Sequence, residues 1–250
     1  MILIRITEEG GVSVAYQNIF RRKELKYMLD DAQYEIVLSM IAPYMSMDEY
    51  GHSLVCSLYY DTPDFRLIRT SMQKPTYKEK LRLRTYGIPT DNSLAFAEIK
   101  KKYKGIVYKR RVMLPYSEAF YWLCGEKEAP RSSQISREID YLRSYYAPIS
   151  AACVLCYDRD AYYSDDDTGV RITFDERVRY RFDRLDLRQG DRGEYLTHDG
   201  MHLMEIKIGG GMPVWLARGL SEAGIFPVSY SKYANAYINR EQEILLHIKG

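Results

Sequence analysis

The stretch that decides the fold runs from Lys78 to Met113, KEKLRLRTYGIPTDNSLAFAEIKKKYKGIVYKRRVM. In its first run Lys80, Arg82 and Arg84 fall on one side, and Leu81 and Leu83 on the other. A turn-rich link, Gly87 to Ser93, follows. The second run sets Glu98, Lys100 and Lys102 opposite Ala97, Ile99 and Lys101, and after Lys104-Gly105 a third run carries Lys109 and Arg111. Successive side chains of a strand point to opposite faces, so period two marks strands. The stretch reads as a three-stranded meander with one dense basic face seeded with a glutamate.

Such density has a cost. Like charges two residues apart on a strand sit about 7 Å from each other and repel by roughly 0.6 kcal/mol in water, or about 2 kcal/mol at an effective dielectric near 20. A solvated face tolerates this. A face turned inward needs a polyanion, or a metal with carboxylates, to offset it. The meander alone leaves both arrangements open.

Composition narrows the choice. The chain has 250 residues, and its 36 Lys and Arg exceed its 34 Asp and Glu by only two. Any polyanion site therefore arises from local clustering and not from bulk charge. The 24 tyrosines suit a strand-rich chain. No apolar run approaches the roughly 20 residues of a membrane span, and Met1-Ile2-Leu3-Ile4 lacks a secretory core. The cysteines, Cys56, Cys124, Cys153 and Cys156, include one CVLC in an apolar run but no second CxxC. They read as buried free thiols in a reducing, cytoplasmic setting rather than as a zinc site.

Outward from the meander the pattern repeats. Residues 1–19 read as an N-terminal strand or arm, and residues 20–250 as a single domain. Phe20 to Tyr27 is a strand with Arg22, Glu24 and Lys26 on one face. Asp30 or Asp31 caps a helix running to Pro43. Leu54 to Tyr60 is a buried strand, closed by Asp61-Thr62-Pro63 and a short helical segment. Ser117 to Glu128, with Ser117 as its cap, and Ser136 to Tyr146 read as helices. Ala152 to Ser164 and Val170 to Arg181 form a hairpin that places Arg159 on one arm and Arg171, Thr173 and Asp175 on the other. Asp175 reads as a partner of Arg171 or as a carboxylate near the turn. Leu203 to Ile208 carries Glu205 and Lys207, and helices follow from Pro213 and from Tyr230. The four histidines show no ligand or triad spacing.

Strand after strand thus pairs an apolar face with a basic one, with glutamate or aspartate interspersed. Ordinary antiparallel sheets carry mixed neutral polar residues on the wet face. About eight such strands, closed into a barrel, would direct those faces to one lumen. The expected fold is therefore α+β: a closed antiparallel β-barrel with a charged, hydrated lumen and surrounding helices.

The motifs RKELKY (22–27), SLYYDTP (57–63), KEKLRLRTYG (78–87), AEIKKK (97–102), YKRR (108–111), YDRDAYY (157–163), VRITFD (170–175), LMEIKI (203–208) and YSKY (230–233) occur in that order. In this order and spacing the chain resembles the VTC domain, the polyphosphate-polymerase branch of the triphosphate tunnel metalloenzyme (CYTH-like) superfamily. The resemblance spans about Phe20 to Tyr237. It implies that Lys26, Arg82, Arg84, Lys100, Lys109, Arg159, Arg171 and Lys232 hold a triphosphate and a growing phosphate chain. Arg22, Lys80, Lys102, Arg111, Lys207 and Ser231 would line the substrate path. Glu205 would carry the metal, Mn2+ or Mg2+, with Glu98 and Glu24 as the other candidate carboxylates.

The implied reaction transfers the γ-phosphoryl group of ATP to polyphosphate, with pyrophosphate or phosphate as primer. Two alternatives share the same tunnel: an inorganic triphosphatase or nucleotide phosphatase that uses water as acceptor, and a polyphosphate-binding module without turnover. Nucleic acid is disfavoured as a partner, because aromatics are not grouped as a stacking platform on the basic strands. A separate membrane partner is compatible with a chain that has no span of its own. Two departures from the family pattern stand out. The superfamily's first-strand ExExK appears as Arg22-x-Glu24-x-Lys26, and Ser229 occupies a position where some relatives carry lysine.

Overall fold

A computed structural model describes residues 4–6, 12–14, 23–104, 106–130, 132–166 and 169–249. Strands β1 (Ile4–Ile6) and β2 (Val12–Val14) pair with each other; they fall within the arm expected at 1–19, most of which lies outside the described residues. Next come β3 (Lys23–Asp30), α1 (Asp31–Ile41), β4 (Met45–Asp61) and α2 (Arg66–Met72). The meander is β5 (Tyr77–Tyr86), β6 (Leu94–Tyr103) and β7 (Ile106–Pro115), followed by α3 (Tyr116–Cys124) and α4 (Gln134–Tyr145). The hairpin is β8 (Ser150–Ser164) and β9 (Arg171–Arg181). Then follow β10 (Glu194–Tyr195), β11 (Met201–Ile208), α5 (Val214–Glu222) and α6 (Lys232–Lys249).

The nine strands from β3 onward form one antiparallel sheet in the order β3-β11-β9-β8-β4-β5-β6-β7, with β10 added beside β9. This corrects the expected closed barrel. Among the described residues no backbone ladder joins the end strands β3 and β7, so hydrogen bonds do not close the sheet. The reason lies along β3. The Val228 amide donates to the Lys26 carbonyl at 2.6 Å, and Lys26 Nζ donates to the Tyr230 carbonyl at 2.8 Å. The segment leading into α6 thus occupies the edge that a neighbouring strand would need, which also shields it from pairing with another chain. Side chains span the seam: Lys100 of β6 reaches Glu24 of β3 at 2.9 Å, and Lys80 Nζ donates to Ser231 Oγ at 3.1 Å.

Period-two patterning decides which face packs. Leu81, Leu83, Ala95, Ala97 and Ile99 point outward and bury against Trp122 and Leu123 of α3 and Ile139 and Leu142 of α4. On the other half, Ile172, Phe174, Met204 and Ile206 pack against Val37 and Ile41 of α1 and Leu216 and Leu220 of α5. A third cluster, with Tyr59, Leu155, Tyr157, Tyr180 and Tyr233, fills the inside of the curl beneath α6. Each fully buried Leu or Ile side chain contributes about 1.5–3 kcal/mol relative to exposure. The two outer cores therefore hold the charged faces inward.

Local signals act as the sequence indicates in several places. Asp30 caps α1, accepting from the Gln33 amide at 2.8 Å, while Gln33 reaches back to the Asp30 amide. Helix α4 starts two residues before the expected Ser136, because Ser133 caps it in the same reciprocal way with Ser136. Ser117 is not the cap of α3. Pro115 ends β7 and, with φ −54° and ψ 143°, occupies that position itself. Strand β4 starts nine residues before the expected Leu54, because Met45, Ser46 and Met47 pair with the far end of β8. Polar Asp48-Glu49 and Gly51, at φ 44°, interrupt the apolar pattern there, and a register shift absorbs the irregularity. Cys56, Cys153 and Cys156 are buried free thiols, as expected, whereas Cys124 is free but only half-buried.

Candidate functional site

The strand registers bring the charged faces together. Across β5 and β6, Arg82 faces Glu98 and Lys80 faces Lys100; across β6 and β7, Lys100 faces Lys109 and Glu98 faces Arg111. On the other half, Arg159 faces Asp175, Thr173 faces Glu205, and Glu205 faces Lys26 while Lys207 faces Glu24.

Three carboxylates anchor the cations. Glu98 accepts from Arg82 Nε at 2.8 Å, lies 2.7 Å from Arg82 Nη2, and has its other oxygen 2.6 Å from Lys109 Nζ. Asp175, fully buried, receives both arms of the Arg159 fork at 2.6 and 2.8 Å, and Lys232 from the start of α6 bonds the same carboxylate. Glu205 meets Lys207 at 2.9 Å and Lys26 at 3.8 Å. A fourth, Glu24, takes Lys100. Burial alone would raise these acids, but the neighbouring cations more than offset it. Glu98 and Glu205 are held well below the usual carboxylate range, Glu24 is lowered, and Asp175 sits at about 2.

Burial also lowers the ammonium groups of Lys26, Lys207 and Lys232, and takes Lys80 down to about 8. Tyr59 accepts from Arg82 Nη1 at 3.1 Å. Burial would raise its phenol, yet Arg82, Lys80 and Arg84 together bring it down to about 8.

Arg84 differs from its neighbours. It is 7% exposed and bonds only neutral oxygens, Ser57 Oγ and Tyr157 OH, each at 3.1 Å. Among the described residues no carboxylate forms an ion pair with it. Glu98 acts on it only through space, and a buried cation without a contacting carboxylate is costly. An anion placed in the lumen would remove that cost.

Other expected residues sit further out. Arg171 shares the inner face but lies at a mouth, half exposed and bound to Asp48 at 2.9 Å, so Asp175 is the partner of Arg159 and Lys232 and not of Arg171. Lys102 is exposed near the other end of β6, opposite Lys78. Arg111 is exposed, its guanidinium 4.7 Å from the centre of the Phe96 ring. Arg22 lies outside the described residues. Ser231 receives Lys80. Sequence reasoning passed over Ser57, Tyr59, Tyr157 and Tyr233 as lumen residues. The signal was present: Ser57 and Tyr59 share one parity in SLYYDTP, next to the basic face of β5.

Among the described residues, no three His, Cys, Asp or Glu side chains gather round one point. Glu24 and Glu205 do sense each other across β3 and β11, and Thr173 Oγ1, directly opposite Glu205, is buried without a hydrogen-bond partner. Two carboxylates and a spare hydroxyl fit a hard divalent cation that completes its shell with phosphate oxygens and water. Glu98 stands apart from this pair, with both oxygens held at 2.6 and 2.7 Å by Lys109 and Arg82, whereas Lys26 stands 3.8 Å from Glu205.

An antiparallel sheet curled around a lumen of interleaved bases and acids, with helices outside, agrees with the tunnel that the sequence resemblance implies. A proposed adenylate cyclase of Bacillus halodurans superposes with a TM-score of 0.51 at 16% identity, covering 86% of this chain and 94% of that one. A protein from Hippeastrum, described as a proposed adenylyl cyclase with a dominant triphosphatase activity, superposes with a TM-score of 0.47 at 14% identity, covering 84% and 92%. At such identities the first likeness speaks for the fold alone. No curated protein matches the chain. The model of the VTC domain matches residues 21–239, and the chain belongs to the VTC domain family.

Proposed function

We propose that the chain is a polyphosphate polymerase, which passes the γ-phosphoryl group of ATP to the end of a phosphate chain held in the lumen. The observation that carries this reading is the surplus of positive charge. Among the described residues Lys26, Lys80, Arg82, Arg84, Lys100, Lys109, Arg159, Lys207 and Lys232 share the lumen with Glu24, Glu98, Asp175 and Glu205, and no carboxylate forms an ion pair with buried Arg84. Such an interior suits a ligand with several negative charges in a row.

Phosphoryl transfer asks a protein mainly for positioning and charge neutralisation. Arg82 and Arg84, on one strand, present planar forks that each grip two phosphate oxygens. The Glu98 carboxylate and the Tyr59 and Tyr157 hydroxyls fix the direction of those forks before substrate arrives. Lys26, Lys100, Lys109 and Lys207 line the path as compact charges, and Lys232 and Arg159 are steadied by Asp175. Glu205 and Glu24 would hold the divalent cation, Mn2+ or Mg2+. When bound, that cation supplies charge neutralisation at the phosphate oxygens. No enzyme nucleophile is needed, since the acceptor phosphate is already ionised. Buried free thiols accord with a cytoplasmic setting, and no described helix is long and apolar enough to cross a membrane.

The test is incubation of the purified protein with ATP and Mn2+, followed by resolution of the products on a gel and assay of released phosphate. ADP with long phosphate chains is expected. Free phosphate without chains would replace the polymerase with a hydrolase, and tight binding without turnover would leave a binding module.

A further inference from the structure

On the lumen face of the meander the charges stop at one end. Along β5 that face reads Lys78, Lys80, Arg82, Arg84 and then Tyr86. Along β6 it reads Lys102, Lys100 and Glu98, and then Phe96 and Leu94. Along β7, Lys109 and Arg111 give way to Met113. The register sets Phe96 opposite Arg84 and Met113 opposite Phe96.

Three of these four apolar side chains are open to solvent: Tyr86 is 55% exposed, Leu94 53% and Met113 57%. A core patch would be covered, and a merely solvated strand end would be polar. An exposed apolar rim continuous with a cationic lumen is the pattern of a ligand site with one polar and one apolar part. The rim has a planar element ready for stacking. The Tyr86 ring stands edge-on to Phe96, with centroids 5.9 Å apart at 83°, so Phe96 supports Tyr86 without stacking on its face. Arg111 lies over Phe96 beside it, with no carboxylate partner among the described residues.

We propose that this rim, centred on Tyr86 and bordered by Arg111, is the nucleobase platform for a nucleoside triphosphate whose phosphates lie at Arg82 and Arg84. The inference rests on the lumen being a phosphate site. Its spacing follows from the strand. Arg84 and Tyr86 are two residues apart on one face, about 7 Å, which is the span that a ribose places between phosphate and base. Stacking accepts any base, since every base has a π-face. The platform therefore separates nucleotides from inorganic phosphate chains rather than one base from another. It would let a donor nucleotide dock at this mouth while a phosphate chain occupies the remaining length.

The test is calorimetric titration of wild type, Tyr86→Ala and Tyr86→Trp with ATP and with inorganic tripolyphosphate. Removal of a stacking aromatic costs roughly 5- to 150-fold in affinity. Tyr86→Ala is expected to bind ATP about 10-fold more weakly and tripolyphosphate unchanged, with Tyr86→Trp restoring ATP affinity. Because Tyr86 is exposed, the substitution leaves the cores intact, and the unchanged tripolyphosphate affinity doubles as the folding control. Equal weakening for both ligands, or for neither, overturns the platform while leaving the phosphate lumen standing. A change in sedimentation without a change in ATP affinity also overturns it, since the rim would then be a contact between copies of the chain. Failure of wild type to bind tripolyphosphate at all would instead remove the lumen reading, and the platform with it.

Discussion

Lys100 of β6 reaches Glu24 of β3 at 2.9 Å across the seam where, among the described residues, the curled sheet lacks a backbone ladder. The pair is partly exposed, at 36% and 22% of the two side chains, so its own contribution to stability is small, under about 1 kcal/mol. Its consequence lies in binding. Glu24 competes with any lumen phosphate for Lys100 and is also one of two carboxylates that would hold a cation. Glu24→Gln is expected to bind tripolyphosphate about 3- to 10-fold more tightly in metal-free buffer, and to lose most of the gain that Mn2+ gives the wild type. Titrations with and without Mn2+ check this. Weaker metal-free binding by the variant would contradict the competition.

Asp175 ties β9 to β8 through Arg159 and to α6 through Lys232, with no solvent contact. Removing one member of a buried ionic cluster leaves uncompensated charge, so Asp175→Ala should cost about 3–5 kcal/mol. The pH dependence has a definite sign. A carboxyl whose folded pKa, about 2, lies below its ordinary value of 3.8 contributes stability that is complete above that ordinary value. The contribution is lost as pH falls from about 4 toward about 2, and is worth on the order of 2 kcal/mol for Asp175. Glu98 and Glu205 are displaced the same way and add to the loss. Urea unfolding at pH 7, 4 and 3 should show a steeper acid decline in wild type than in Asp175→Asn. Parallel declines would remove Asp175 from the account.

The basic faces were legible because period two is a local property: Lys80, Arg82 and Arg84 alternate with leucines whatever the rest of the chain does. That they point inward was legible only from recurrence across strands and from resemblance to the family. Pairing within the lumen was not legible. Asp175 stands two residues from Thr173 and four from Arg171 in sequence, yet it bonds Arg159 and Lys232, which depends on the β8–β9 register and on where α6 begins. The open seam was hidden for a similar reason. Nothing in Phe226 to Ser231 marks it as the segment that takes up the edge of β3, because that contact joins residues about 200 positions apart. Ser57 and Tyr59 were missed because LVCSLYY is apolar almost throughout and reads as buried on both faces. One of those faces is the lumen wall.

Three lumen groups are brought into the range of pH 7 to 8, and they act in one direction; burial lowers Lys109 to about 7, ahead of Lys80 and Tyr59. Lys80 is lowered to about 8 by burial, so in the ligand-free lumen it begins to lose its proton near that pH. A bound polyanion favours the charged ammonium and draws the proton back. Tyr59 is brought to about 8 because Arg82, Lys80 and Arg84 outweigh the effect of its burial; above that pH its phenolate competes with phosphate for Arg82. Affinity for tripolyphosphate should therefore be highest below pH 7 and fall about 10-fold or more by pH 9.5. Above pH 8, proton uptake on binding should appear as a dependence of the measured enthalpy on the ionisation heat of the buffer. Lys80→Met together with Tyr59→Phe should flatten the part of the profile above pH 8 and leave the fall near pH 7 that Lys109 sets. A wild-type affinity that is level from pH 7 to 9.5 would refute the assignment.

Arg84 separates stability from binding more sharply than any other lumen residue. Its guanidinium is 7% exposed and, among the described residues, hydrogen-bonds Ser57 and Tyr157 with no carboxylate at ion-pair distance, so the ligand-free protein carries part of the cost of a buried charge. A methionine of similar length removes the charge and keeps much of the packing. Arg84→Met should therefore change unfolding free energy by no more than about 3 kcal/mol, since two charge-assisted hydrogen bonds of about 1.5–3 kcal/mol each are exchanged for relief of that buried charge. The same substitution removes a charge-assisted fork from the phosphate path and should weaken tripolyphosphate binding by about 10- to 100-fold. Arg84→Lys should recover only part of the loss, because a compact ammonium cannot span two phosphate oxygens. Denaturation and titration of the same three proteins check both halves. If Arg84→Met were strongly destabilised while binding was unchanged, Arg84 would be a structural strut holding Ser57 to Tyr157, and the site would have to be centred elsewhere in the lumen.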